Sequence, residues 1–151
     1  MTHPRATQIA AALAGYRPRS SPWPAHQPGR RRTAYQEGRA AELAVAKQLR
    51  KAGAEVQVAP RSVGWAKSDM LAAFPDGLRQ RWQIKRVSRF TPGCLNGAVR
   101  DYLRVKRNPG VEYVAACYLA GVGLVAVAVV QHDGTVTTEA LRTGYELRVR
   151  S

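Results

Sequence analysis

The stretch over residues 111–130 constrains the fold more than any other feature of the chain. It is the most apolar run in the sequence, and it is interrupted by Glu112, Gly121 and Gly123. A membrane-spanning helix needs about 20 predominantly apolar residues, and these interruptions break that pattern. Two strands over residues 111–119 and 124–131, joined by a turn at residues 121–123, fit it instead. Strands that read as nearly continuous apolar runs, without alternation, are buried on both faces. The rest of the chain must then supply layers that cover them.

Upstream, Thr33 is a plausible N-cap, and Ala41, Val45, Leu49 and Ala52 recur at helical spacing until Gly53. This predicts one amphipathic helix. Glu42 lies at the edge of its core-facing stripe, a placement that invites a partner. Residues 54–59 alternate and read as a strand ending at Pro60, followed by a loop over residues 61–67. Segments 68–74 and 78–87 flank Pro75-Asp76-Gly77, a strong signal for an antiparallel hairpin. On its second strand Trp82 and Ile84 share one face, so Gln83 and Lys85 share the other. Residues 95–107 fit a helix with Val99, Tyr102 and Leu103 inward and a basic outer face, ended by Asn108-Pro109-Gly110. After Asp133-Gly134 a short strand is expected over residues 135–138.

The N-terminal residues 1–32 carry Pro18, Pro22, Pro24 and Pro28 and close on Gly29-Arg30-Arg31-Arg32. This is a linker composition, read either as a basic arm that neutralises phosphates or as a solubilising tail. Residues 33–151 are expected to form a single domain, for which the length is sufficient. With 24 Lys and Arg against 10 Asp and Glu, the net charge is +14. Such a field favours polyanions, and nucleic acid is favoured over a membrane surface because the most apolar stretch is broken by Glu112, Gly121 and Gly123. No secretory signal is legible at the N-terminus, which predicts an intracellular, cytoplasmic protein. Cys94 and Cys117 have no CxxC spacing and read as two ordinary thiols, with neither a zinc site nor a disulfide framework indicated. His3, His26 and His132 are scattered and receive no role.

Hydrolysis of a phosphodiester at neutral pH calls for a divalent cation, which polarises the phosphate and acidifies an attacking water. Hard cations are held by carboxylate and carbonyl oxygens. A helix carboxylate, an Asp opening one hairpin strand, and an oxygen donor two residues before a Lys on the other strand meet that need. Glu42, Asp69, Gln83 and Lys85 are the candidates. Taken singly, each of these residue types in such a position is ordinarily solvated surface.

In combination they resemble a known pattern. Gly38-Arg39-Ala40-Ala41-Glu42-Leu43, with Leu49 and Gly53, is similar to the opening helix of archaeal-type Holliday junction resolvases of the PD-(D/E)XK nuclease superfamily. Arg61-Ser62-Val63-Gly64 followed by Ser68-Asp69 resembles the catalytic loop and metal-binding Asp of that family. Gln83-Ile84-Lys85 falls where the family carries Glu-x-Lys, with Ser88 following. The resemblance covers residues 33–89 well and the remainder only as a compatible order of elements. It departs at Gln83, where the family has Glu, so that one negative charge is missing and weaker metal affinity is implied.

The resemblance implies an α/β fold with a PD-(D/E)XK nuclease core: a central mixed sheet of about five strands flanked by helices, in the order αβββαββ, behind a basic N-terminal extension. It implies a Mg²⁺-dependent endodeoxyribonuclease, with Mn²⁺ as a substitute, that nicks branched DNA and above all the four-way junction. Catalysis would fall to Lys85, Asp69, Gln83 and Glu42, and the metal to Asp69, Gln83, Glu42 and the backbone carbonyl of Ile84. The DNA-binding candidates are Arg39, Arg61, Ser62, Lys67, Arg86 and Arg89, with Arg100, Arg104, Lys106 and Arg107 adding to a phosphate-facing surface. No small-molecule cofactor and no membrane partner is expected. Two symmetric nicks call for a homodimer, for which the apolar strands within residues 111–130 are the candidate interface. Two other readings stay open: a nuclease-fold DNA-binding protein that has lost catalysis, and a related nuclease of repair, nicking or restriction type.

Overall fold

The computed structural model describes residues 34–59 and 68–149, with side chains from residue 36. The expected N-cap Thr33, the loop over residues 61–67 and the extension over residues 1–32 lie outside the described residues. The first element is helix α1 (Ala34–Lys51), with Glu37 in its first turn and Arg50 and Lys51 in its last, each matched to the nearer pole of the helix dipole. It ends as the sequence predicts. Gly53 adopts φ 100°, its amide donates to the Arg50 carbonyl at 3.0 Å, and the Ala54 amide donates to the Leu49 carbonyl at 3.1 Å. That pair of bonds is a Schellman stop, and it needs a residue tolerant of the left-handed conformation at its turn.

Six strands follow in a mixed α/β arrangement: β1 (Glu55–Val58), β2 (Met70–Ala73), β3 (Arg79–Val87), β4 (Val111–Leu119), β5 (Gly123–Val130) and β6 (Val136–Ala140). Their spatial order is their sequence order, and every neighbouring pair is antiparallel except β3 and β4. A parallel pair needs a crossover connection, and helix α2 (Asn96–Arg104) lies on that connection. The element order is therefore αβββαβββ, one strand more than the five expected. The sixth strand, β6, falls on the short strand expected over residues 135–138, and its antiparallel pairing with β5 makes it a member of the sheet.

The two helices cover opposite faces. Ala41, Val45, Ala46 and Leu49 of α1 pack with Met70, Trp82, Ile84, Val114, Ala116, Val127 and Val129. Burying a Val or Leu side chain in such a layer stabilises by roughly 1.5–3 kcal/mol. Leu95, Ala98, Val99 and Tyr102 pack with Tyr113, Ala115, Cys117, Val125, Ala126 and Ala128 on the other face. The expected alternation in β3 holds, with Trp82 and Ile84 in the α1 layer. The Pro75-Asp76-Gly77 hairpin is present as well: the Phe74 amide donates to the Leu78 carbonyl at 2.8 Å and Gly77 takes φ 95°.

Strands β4 and β5 are internal to the sheet and buried on both faces. They are therefore not the dimer interface that their apolar character suggested; the helices and neighbouring strands already cover them. Glu112, which interrupts the apolar run, is itself buried. Gln80 Nε2 and Gln131 Nε2 donate to its two carboxylate oxygens at 3.1 and 3.2 Å, and Trp82 Nε1 donates to Gln80 Oε1 at 2.9 Å. A buried carboxylate is tolerated where its lone pairs are taken up in this way.

Helix α2 is shorter than the 95–107 expected, because Val105 leaves the helix in an extended conformation. Arg107 then turns back: its Nη1 donates to the carbonyls of Tyr102 and Leu103, both at 2.9 Å, and its Nε donates to Gln131 at 3.1 Å and His132 at 3.3 Å. The guanidinium caps the helix and bolts it to the loop after β5. Arg107 thus has a structural role. No helix among the described residues is long and apolar enough to cross a membrane.

Candidate active site

Asp69 sits at the start of β2 and is fixed through its backbone from both sides. Its amide donates to the Trp82 carbonyl of β3 and its carbonyl accepts the Ala59 amide beyond β1, each at 2.7 Å. Continuing the β2/β3 register one pair past Met70 and Trp82 sets Asp69 opposite Gln83. The carboxylate then reaches along β3, where Oδ2 accepts the Ile84 amide at 2.7 Å. The side chain thereby takes the place of a strand carbonyl, and the acid is held against the Gln83-Ile84-Lys85 run by main chain alone. Burial raises the Asp69 pKa above the ordinary carboxylate value, opposed by the Ile84 amide and by the charges of Lys85 and Arg39.

Glu42 comes from the middle of α1 and is partly buried, at the rim of the apolar stripe as its spacing predicts. Its pKa is also raised, first by burial and then by the charge of Asp69, with Arg39 acting in the opposite direction. Arg39 Nη1 lies 3.2 Å from Glu42 Oε2 and donates to the Ala59 carbonyl at 3.0 Å. Helix and sheet thus bring two carboxylates and two cations, Arg39 and Lys85, within electrostatic range of one another. Each carboxylate is harder to ionise than in water, a state that a bound cation relieves.

Gln83 is 8 % exposed, and its Oε1 has no hydrogen-bond partner among the described residues. A buried amide oxygen left without a donor costs about 1–3 kcal/mol. Two carboxylates, and on the strand facing Asp69 a buried amide oxygen without a partner, are hard oxygen donors of the kind that suits Mg²⁺, so the residue types present fit the cation. Among the described residues no three His, Cys, Asp or Glu side chains are grouped so that they could hold a metal ion.

A second support reaches the site from the far layer. Tyr102 of α2 is fully buried and its hydroxyl shares a 3.2 Å hydrogen bond with Ser68 Oγ, next to Asp69. Burial drives the Tyr102 pKa upward, so the phenol keeps its proton. The inward position of Tyr102 was legible from helical spacing, whereas its partner 34 residues away was not.

The structure distributes the DNA-binding candidates unevenly. Arg39 is inside the carboxylate cluster, and Arg86 Nη1 lies 3.1 Å from Glu37 Oε2, tying β3 to α1. Arg89 is exposed in the bend after β3. Arg61, Ser62 and Lys67 lie outside the described residues. Sequence spacing also missed Cys94 and Cys117, whose sulfurs are 3.5 Å apart; at a sequence separation of 23, only the tertiary fold makes them neighbours. Neither a protein-family model nor a curated protein matches the chain, so fold and site geometry carry the functional argument.

Proposed function

We propose that this protein is a structure-selective, metal-dependent DNA endonuclease that resolves four-way junctions by paired nicks. The observation that carries the reading is the Asp69 carboxylate held on the Ile84 amide, between Gln83 and Lys85, with Glu42 within electrostatic range. Asp69, Glu42 and Gln83 Oε1 would hold Mg²⁺ or Mn²⁺, joined by the Ile84 carbonyl. When bound, such a cation polarises a phosphate and lowers the pKa of a water. Lys85 orients the attacking water and stabilises the negative charge that develops on the phosphate oxygens. Arg39 offsets part of the carboxylate charge. The excess of basic residues supports a polyanionic substrate, and two nicks placed symmetrically call for two copies of the chain.

Gln83 also favours a second reading, a DNA-binding protein on a nuclease scaffold, because the neutral amide removes one of the charges that hold the cation. Cleavage of labelled DNA by the native chain, Asp69→Ala and Gln83→Glu separates the two. Under the nuclease reading the native chain cuts with Mg²⁺, and Asp69→Ala loses cutting by at least about a hundredfold while retaining DNA binding. Cutting that appears only in Gln83→Glu overturns it in favour of the binding protein.

A further inference from the structure

We propose that Cys94 and Cys117 form a peroxide-sensitive dithiol that closes to a disulfide, tying the turn before α2 to the central strand β4. The argument rests on placement. The two sulfurs are 3.5 Å apart and hydrogen-bonded. Cys117 is fully buried on β4, whereas Cys94 is partly exposed in the turn that leads into α2. A disulfide needs the sulfurs at about 2.05 Å, a closure of about 1.5 Å that falls on the turn and not on the packed strand. The shared proton further favours reaction at the accessible sulfur. The hydrogen bond between the two thiols, outweighing burial, lowers the Cys94 pKa to about 7, whereas the same pairing and burial raise that of Cys117. The thiolate is the reactive form, and it arises where a small oxidant can reach.

The oxidant is a hydroperoxide, and hydrogen peroxide serves as the probe. The Cys94 thiolate attacks one peroxide oxygen, the O–O bond breaks, hydroxide leaves and a sulfenic acid forms. The Cys117 sulfur then attacks the Cys94 sulfur; the S–S bond forms, the S–O bond breaks, and the oxygen departs as water with the Cys117 proton. The two thiols are oxidised by two electrons and one peroxide is reduced to water. Cys117 is the register partner of Lys85 in the parallel β3/β4 pair, so the bridge would form on the strand that flanks the candidate site. The proposal does not depend on the nuclease reading.

The test is intact-mass analysis of the full chain before and after hydrogen peroxide, with alkylation under denaturing conditions. The native chain is expected to lose two hydrogens and both alkylatable thiols, to yield a peptide joining residues 94 and 117, and to regain both thiols with dithiothreitol. Cys117→Ser should stop at one added oxygen on Cys94, trapped by dimedone. Cys94→Ser should leave Cys117 unmodified. Two free thiols after peroxide, a sulfinic acid at Cys94 beside a free Cys117, or dimers linked through Cys94 alone would each overturn the proposal. The native measurement stands even if a serine variant fails to fold.

Discussion

Asp69 shows how one side chain concentrates the problem that the site has to solve. Its carboxylate and that of Glu42 both have folded-state pKa values raised above the ordinary values, chiefly by burial. The folded state then binds protons more readily than the unfolded one, so stability falls as pH rises through the carboxylate range and is recovered on acidification. Asp69→Asn keeps an oxygen for the Ile84 amide but removes the charge. In the absence of metal it is expected to raise the melting temperature near neutral pH and to lose that advantage by about pH 4. Mg²⁺ should raise the melting temperature of the native chain near neutral pH, less so in acid, and not at all in Asp69→Asn. A Mg²⁺ shift that survives the substitution would move the cation away from Asp69. This level was partly legible in the sequence. The spacing of Asp69, Gln83 and Lys85 set them on paired strands, and Arg39 and Glu42 are i,i+3 neighbours on α1, but the bond from the Ile84 amide to Asp69 and that from Arg39 to the Ala59 carbonyl depend on tertiary geometry.

Among the elements, α2 does the most to join the two halves of the sheet. It lies on the crossover that makes β3 and β4 parallel, its Tyr102 reaches Ser68 beside Asp69, and its C-terminus is held by Arg107. Hydrogen bonds from a charged donor contribute about 1.5–3 kcal/mol, and this guanidinium also faces the negative pole of the helix. Arg107→Ala should therefore lower the unfolding free energy by about 2 kcal/mol, measured by urea denaturation, and Arg107→Lys should restore little because an ammonium lacks the planar fork. A loss below about 0.5 kcal/mol would show that the helix end is held by packing alone. The sequence revealed elements wherever local chemistry was decisive. Residues 111–119 were read with the bounds that β4 has, and Pro75-Asp76-Gly77 marked its hairpin. It failed where the stabilising partner is distant: Glu112 is buried against the amides of Gln80 on β3 and of Gln131 beyond β5, and α2 ends early because Arg107 takes its carbonyls.

On the scale of the whole molecule, the chain carries a net charge of +14, yet Glu42 and Asp69 lie partly buried within electrostatic range of each other. Under the proposed function, the excess of basic residues would draw a polyanion in, and the carboxylates and amide oxygen would hold a cation against its phosphates. The internal strands β4 and β5 are closed to a partner, so a pair of chains would have to meet through another surface. The most direct measurement is cleavage of a labelled synthetic four-way junction by the full chain, beside linear duplex and single strand of the same sequence, with Mg²⁺ or with EDTA. Paired symmetric nicks on the junction, absent from the linear substrates and lost in EDTA, are the expected result. Tight junction binding with no cutting in either Mg²⁺ or Mn²⁺ would contradict the account.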